Sequence, residues 1–309
     1  MGEMMRSATL SSEFFDSFRS PPAVAAPKKS AHVIANRKGW VAKTTTTINL
    51  GASLAERGRR VLLIDLDSQQ DLCAALRVPM PRPGLADVLV SSAMFDTADL
   101  SEAFVKVHGM TVAGGYGIAD AERQLPLHRS WETTLKRTLA PHLHRFDYVL
   151  FDCAPSINSL TTNALTAARE VLIPIQTEFL AANQLPGIMS AVDDIRSRLN
   201  SGLKVSGFLP TMYDRRSRHA LGIMEHIALQ AHLWGVRAFK PIPKAVRFAE
   251  AAEAGQSISR YAPESLPARC YQALAFEIDR DRIARLQPGV MPLLDPRPAS
   301  REVTISGVG

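Results

Sequence analysis

Short runs of apolar residues alternate along this chain with stretches of helical spacing. "HVIAN" precedes a helix predicted from Thr44 to Glu56, and "RVLLIDLD", "FDYVLFDC", "EVLIPIQT" and "LKVSGFLPTMY" follow in turn, each with a helix-like segment behind it. Continuous Val/Ile/Leu runs suit strands buried on both faces, and their alternation with helices implies right-handed crossovers within a mainly parallel sheet. No internal repeat interrupts the pattern. The fold class predicted is α/β: one doubly wound domain over residues 31–286, helices on both faces, its ligands at the carboxyl ends of the strands.

Two segments fall outside this pattern. Residues 1–30 mix Ser, Pro, Ala and isolated charges, with "SPPAVAAPKKS" reading as linker, and are predicted to be a disordered tail. Residues 287–309 form a Pro/Gly-rich tail in which Pro288, Pro292, Pro296 and Pro298 oppose a helix.

Composition narrows the classes. With 46% hydrophobic and 21% charged residues the chain reads as an ordinary globular protein. No apolar run reaches the roughly 18 residues of a membrane span, and the N-terminus has no signal-peptide core, so a cytoplasmic location is the default expectation. Cys73, Cys153 and Cys270 are far apart and form no CxxC pair, which argues against a disulfide framework or a metal cluster. The histidines have no metal-ligand company. The net charge of +6 is uneven: thirteen Lys or Arg face eight Asp or Glu between residues 201 and 285, so a polyanion is a possible partner.

The candidate chemistry lies in "ANRKGWVAKTTTTINL", Ala35 to Leu50. A phosphate needs backbone N–H donors, a helix N-terminus and a cation, and a loop running from "HVIAN" into a helix supplies them in order. The pattern GxxxxGK[ST] would put glycines where Arg37 and Ala42 stand. A variant with an early lysine, xKGGxGKTT, is met imperfectly by Lys38, Gly39, Trp40, Val41, Ala42, Lys43, Thr44 and Thr45.

With this loop, "LGASLAERGRRVLLIDLDSQQDL", "FDYVLFDCAPSINSLTTNALTAAREVLIPIQTEFLA", "LPTMYDRRSRH" and "PIPKAVRFAEAAEAGQSI" the chain resembles the ParA/MinD group of deviant-Walker P-loop ATPases, nearest the ParA/Soj type. One departure is Ser68-Gln69-Gln70 where the family has Pro-Gln-Gly. The resemblance implies ATP and Mg²⁺ as cofactors. It implies that Lys43 neutralises the β- and γ-phosphates, that the Thr44 hydroxyl ligates Mg²⁺ and that Asp152 holds the ion through water. Asp67 would orient the attacking water, with Asp65 as a nearby metal-shell candidate. Lys38 would reach across a nucleotide-sandwiched homodimer to the partner's phosphates. The plain alternatives are a solvated lysine at a helix start and aspartates that cap turns.

Two readings of the loop stay open. Position 40 has positive φ in loops of this type, and position 42 lets the backbone approach phosphate. A non-glycine residue forced into such geometry costs about 1–3 kcal/mol. A micromolar site is worth only about 8 kcal/mol. The chain is thus an ATPase with an adapted loop, or a degenerate ParA-fold protein that binds DNA or a partner without efficient hydrolysis.

The resemblance also implies non-specific DNA binding by the ATP-bound dimer, through Arg215, Arg216, Arg218 and Arg247 and more weakly Lys244 and Arg260. A solvated basic surface is the plain alternative. It further implies a ParB-like or cargo-borne activator, partition of a plasmid or chromosome or positioning of another cargo, and association with the nucleoid. Membrane attachment is disfavoured, because "LPARCYQALAFEIDRDRIARL" reads better as a last helix packed on the sheet. The loops after "FLPTMY" and around "PIPKAV" are the candidates for recognising the base.

Overall fold

A computed structural model of the chain describes residues 30–34, 41–96, 98–178 and 185–286. In chain order its elements are β1 (Ser30–Ile34), α1 (Lys43–Glu56), β2 (Val61–Asp65), α2 (Asp71–Ala75), α3 (Leu85–Phe95), β3 (Phe104–Val107), β4 (Met110–Ala113), α4 (Ile118–Gln124), α5 (Thr134–Leu139), β5 (Tyr148–Asp152) and α6 (Ser159–Ala167). The second half adds β6 (Glu170–Gln176), α7 (Leu185–Arg198), β7 (Lys204–Thr211), α8 (Arg218–Leu233), α9 (Arg247–Glu253), α10 (Ile258–Tyr261) and α11 (Leu266–Leu286). Ser30 already belongs to β1; the rest of both predicted tails lies outside the described residues.

Seven strands among the described residues form one sheet in the order β3-β4-β2-β5-β1-β6-β7. Every neighbouring pair is parallel except β3 and β4, a hairpin absent from the apolar pattern. Its strands are four residues each, and the link is His108-Gly109, both at positive φ (48° and 80°). That is the backbone a two-residue turn needs to follow the right-handed twist of its strands.

Successive strand residues point to opposite faces, and each face meets its own layer of helices. Val33, Leu62, Ile64 and Phe151 pack with α3 to α8, while Ile34, Leu63, Leu150 and Leu209 pack with α1, α2 and α9 to α11. The second layer includes α11, whose Tyr271, Leu274, Ala275 and Ile278 are buried over α1 and the sheet, as the sequence predicts for the last helix. Side-chain caps set several helix starts: Asn158 accepts from the Thr161 amide at 2.8 Å and Ser217 from the Ala220 amide at 3.2 Å.

Register brings the site together. In the β1–β5 and β2–β5 ladders Ile34 and Asp65 both stand opposite Asp152, so three central strands end at one level. The loops that follow them converge there.

Candidate active site at the strand ends

Helix α1 begins at Lys43 on a left-handed residue, Ala42, with φ 64° and ψ 35° and no side-chain cap. Its first-turn amides have no partner inside the helix, which is the arrangement that receives a phosphate. The loop is tied down on its far side, where the carbonyl of fully buried Val41 accepts the Thr211 hydroxyl at the end of β7, 3.2 Å away. Lys38, Gly39 and Trp40 lie outside the described residues. Ala42 itself adopts the positive φ that the sequence reading assigned to position 40, so a strained non-glycine residue stands next to Lys43.

Lys43 is 7% exposed, and burial pulls its ammonium pKa below the usual lysine range while Asp152 and Asp67 counter the shift. Asp152 is fully buried and neither of its oxygens has a hydrogen-bond partner of sound geometry. Burial first, then the neighbouring Asp65, holds its carboxyl well above the ordinary range; the nearby Thr44 hydroxyl and Lys43 act the other way. An unpartnered buried carboxylate is costly, and a cation that brings its own water removes the cost. The residues present therefore fit a magnesium ion held between Thr44 and Asp152. Among the described residues no cluster of three or more His, Cys, Asp or Glu could hold a metal. A magnesium ion keeps several waters and leans on phosphates, so it needs no such cage.

Asp65 is used differently. Its Oδ1 accepts the Asp67 amide at 3.2 Å and its Oδ2 the Cys73 amide at 3.1 Å, although burial still pushes its carboxyl up to about 6. With both oxygens taken by backbone, Asp65 shapes the loop after β2. Asp67, 9% exposed on that loop, accepts the Gln69 amide at 3.0 Å and faces Lys43. Lys43, Thr44, Asp65, Asp67 and Asp152 thus form one group. Thr45 adds its carbonyl, which accepts the Asn49 side-chain Nδ2 at 2.7 Å.

Three supports were missed in the residue pattern. Fully buried Thr46 and Tyr271 share a hydroxyl contact of 3.1 Å, and the Asn49 side chain accepts the Ile258 amide at 2.7 Å, so α1 is fastened to α10 and α11. At Gly114 a Cβ would lie 2.3 Å from the Cys73 sulfur and 3.4 Å from the Asp65 Cβ, which makes room for the Asp65 loop. The Gly114-Gly115 pair was the available hint.

The predicted basic residues fall into two places. Tyr213 pairs with Pro243, the Tyr213 amide donating to Ile242 at 3.0 Å and the Lys244 amide to Tyr213 at 3.0 Å. This joins the segment of Arg215, Arg216 and Arg218 to that of Lys244 and Arg247, and all five side chains are exposed. Arg216 is held by Asp214 at 3.2 Å. Arg260 instead stands near His108 at the β3–β4 turn, where its charge adds to burial in lowering the imidazole pKa. A cleft of about 780 Å³, lined by Pro243 to Arg247, Glu250 and the α10–α11 connection, opens beside the joined segments.

Comparison with known proteins places this geometry. A family profile described as "AAA domain" matches residues 30–205. A Mycobacterium tuberculosis protein is 40% identical over 284 residues, covering 85% of each chain. Sporulation initiation inhibitor protein Soj of Bacillus subtilis is 36% identical over 248 residues, 79% of this chain and 96% of its own. The crystal structure of cobyrinic acid a,c-diamide synthase from Mycobacterium smegmatis, with bound ATP analogue and magnesium, superposes with a TM-score of 0.70 at 32% identity, covering 84% of this chain and 97% of that one. By its phosphate loop, its sheet and these relatives, the chain belongs to the ParA/MinD family of P-loop ATPases.

Proposed function

We propose that this protein is a ParA-like ATPase that takes ATP with Mg²⁺, dimerises on it, binds DNA without sequence preference, and partitions a plasmid or chromosome or positions another cargo. A ParB-like or cargo-borne activator would stimulate it on the nucleoid. The observation that carries this reading is the group at the strand ends: a buried lysine at a helix start, a threonine beside it, and a buried carboxyl without a partner. Lys43 would neutralise phosphate charge, Thr44 would reach the ion directly, Asp152 would hold it through water, and Asp67 would orient the attacking water. Magnesium supplies charge neutralisation at the β- and γ-phosphates. Lys38 would act on the partner's nucleotide across the dimer, Gly39 to Thr45 would line the phosphates, and Asp65 would hold the Asp67 loop in place. The cleft beside Pro243 is where the base would be recognised. For DNA, the support is that Arg215, Arg216, Arg218 and Arg247 stand exposed on two segments locked together by backbone pairing.

A second reading, a weakly hydrolysing DNA- or partner-binding member, is favoured by the left-handed geometry of Ala42. Titration with ATP and Mg²⁺, alongside turnover with and without DNA, separates the two for the native chain and for a Trp40→Gly, Ala42→Gly variant. The proposal expects micromolar binding, turnover that rises with DNA, and loss of both in Lys43→Ala. Millimolar binding that only the glycines rescue supports the second reading, and no binding by either chain defeats the first. No helix among the described residues is long and apolar enough to cross a membrane.

A further inference from the structure

Resting on the ATP and DNA reading above, we propose that Thr211 and Tyr271 are positioning residues. They hold the phosphate loop to the arginine-bearing segments, so that filling the loop sets how well those segments grip DNA. The arginine segments move as one piece, because Tyr213 pairs with Pro243 and the Lys244 amide donates to Tyr213 at 3.0 Å. Two ties among the described residues join that piece to the start of α1. The first is fully buried Thr211, four residues ahead of Arg215, whose hydroxyl donates at 3.2 Å to the carbonyl of Val41, two residues ahead of Lys43. The chain bends straight after it. Met212 holds a left-handed φ of 53°, its carbonyl accepts the Thr177 hydroxyl at 3.3 Å, and the Thr177 amide donates to the Thr211 carbonyl at 3.1 Å. A residue with a Cβ keeps that conformation only where its surroundings over-determine it, so the bend transmits a displacement and does not absorb it.

The second tie leaves from the other arm. Phe248, beside Arg247 at the start of α9, packs edge-on against the Tyr271 ring, with 5.9 Å between centroids and 84° between planes. The Tyr271 hydroxyl lies 3.1 Å from that of Thr46, both residues fully buried, and the Thr46 amide closes the first turn of α1 on the Ala42 carbonyl at 2.9 Å. Both ties thus end within residues 41–46, one before the helix start and one after it, with Lys43 and Thr44 between them. A body held at two points turns as well as shifts when its anchors move. A phosphate drawn onto the free amides of α1 pulls on this stretch, left-handed Ala42 included. The packed interior has no slack to take up the movement, and breaking either hydroxyl contact would leave a buried polar group unsatisfied. The arginines therefore follow the loop. By linkage, DNA tightens nucleotide binding by the same factor as nucleotide tightens DNA binding.

The test uses the full chain and a labelled DNA duplex at fixed salt, with affinity read by anisotropy without nucleotide and with a saturating non-hydrolysable ATP analogue plus Mg²⁺. The ratio of the two affinities is the readout. For the native chain a ratio of about tenfold or more is expected. Thr211→Val and Tyr271→Phe each delete one hydroxyl and keep the shape, and each is expected to cut the ratio about fivefold. Thr211→Ser keeps the hydroxyl and is expected to hold the native ratio. Tyr148→Phe, which deletes a buried hydroxyl contact of 3.0 Å at the opposite end of the strands, is expected to leave the ratio unchanged. Native ratios in both Thr211→Val and Tyr271→Phe overturn the inference. So does a Thr211→Ser chain no better than Thr211→Val, a Tyr148→Phe chain equally impaired, or a native chain that binds analogue and DNA independently. A native chain that fails to bind the analogue or the DNA at all defeats the reading above and the inference with it. One with the full ratio, kept by both variants, defeats the inference alone.

Discussion

Buried charge occurs at both ends of the central strands, and the two ends treat it in opposite ways. At the amino-terminal end, buried Asp279 of α11 takes the Arg59 guanidinium on both oxygens (2.9 and 3.1 Å from Nε), the Tyr148 hydroxyl at 3.0 Å and Arg57 at 3.5 Å. Nearby Asp147 holds Arg60 at 3.1 Å and Arg282 at 3.4 Å, and the Arg282 guanidinium stacks 4.9 Å from the Tyr148 ring. At the carboxyl end, equally buried Asp152 has both oxygens without a hydrogen-bond partner. One carboxylate is completed by the fold and ties the last helix to the sheet. The other is left for something the fold does not supply, and that difference separates a structural charge from a ligand-directed one.

The contrast is open to direct test, the largest effect first. Asp279→Ala strands the Arg59 guanidinium and leaves the Tyr148 hydroxyl without its acceptor beside an apolar core, and is expected to cost about 3–5 kcal/mol in urea unfolding. Asp152→Asn loses no hydrogen bond of sound geometry and only the charge that faces Lys43, and is expected to cost the nucleotide-free protein far less than Asp279→Ala. Equal losses at the two sites would end the distinction. Acidity gives a second measure. Asp65, at about 6, and Asp152 hold protons in the folded state that the unfolded chain releases near pH 4. The folded state therefore binds more protons between about pH 4 and 6, and stability falls as pH rises through that window, by up to about 3 kcal/mol for Asp65. Asp65→Asn should flatten this part of the curve; a profile unchanged by the substitution would contradict the assignment.

Smaller effects refine the picture. Tyr148→Phe removes one donor from Asp279 and is expected to cost about 1–2 kcal/mol, read from the shift in urea midpoint. Ala42→Gly releases a left-handed alanine and is expected to stabilise the chain by up to about 1 kcal/mol, since the freer unfolded glycine offsets part of the gain. A loss of stability at this position would mean that φ 64° carries no strain.

Much of this was legible in the residues, for a physical reason: strands buried on both faces must be continuously apolar, and each such run became a strand, four of them central and one, β7, at the border of the sheet. The helix predicted from Thr44 starts one residue sooner, at Lys43. The β3–β4 hairpin escaped because it is short and edge-placed, and its only local mark is His108-Gly109. At the site, Lys43, Thr44 and Asp152 were readable from their positions at a helix start and a strand end. The backbone duty of Asp65 was not, because it depends on the Cys73 amide eight residues on. The Tyr271–Thr46 contact joins residues 225 positions apart and leaves no trace in any local pattern.

The segment that follows α8 closes the border of the sheet. Phe208 exchanges backbone hydrogen bonds with Arg237 and Phe239 at 2.8 Å, and the Ile242 amide donates to Pro210 at 2.8 Å, so much of the outer side of β7 is already occupied. At the other border β3 offers four residues. Little bare main chain is left there for another strand to zip onto. Copies of this chain at high concentration would then have little open backbone to pair through, with less risk of fusing into fibres.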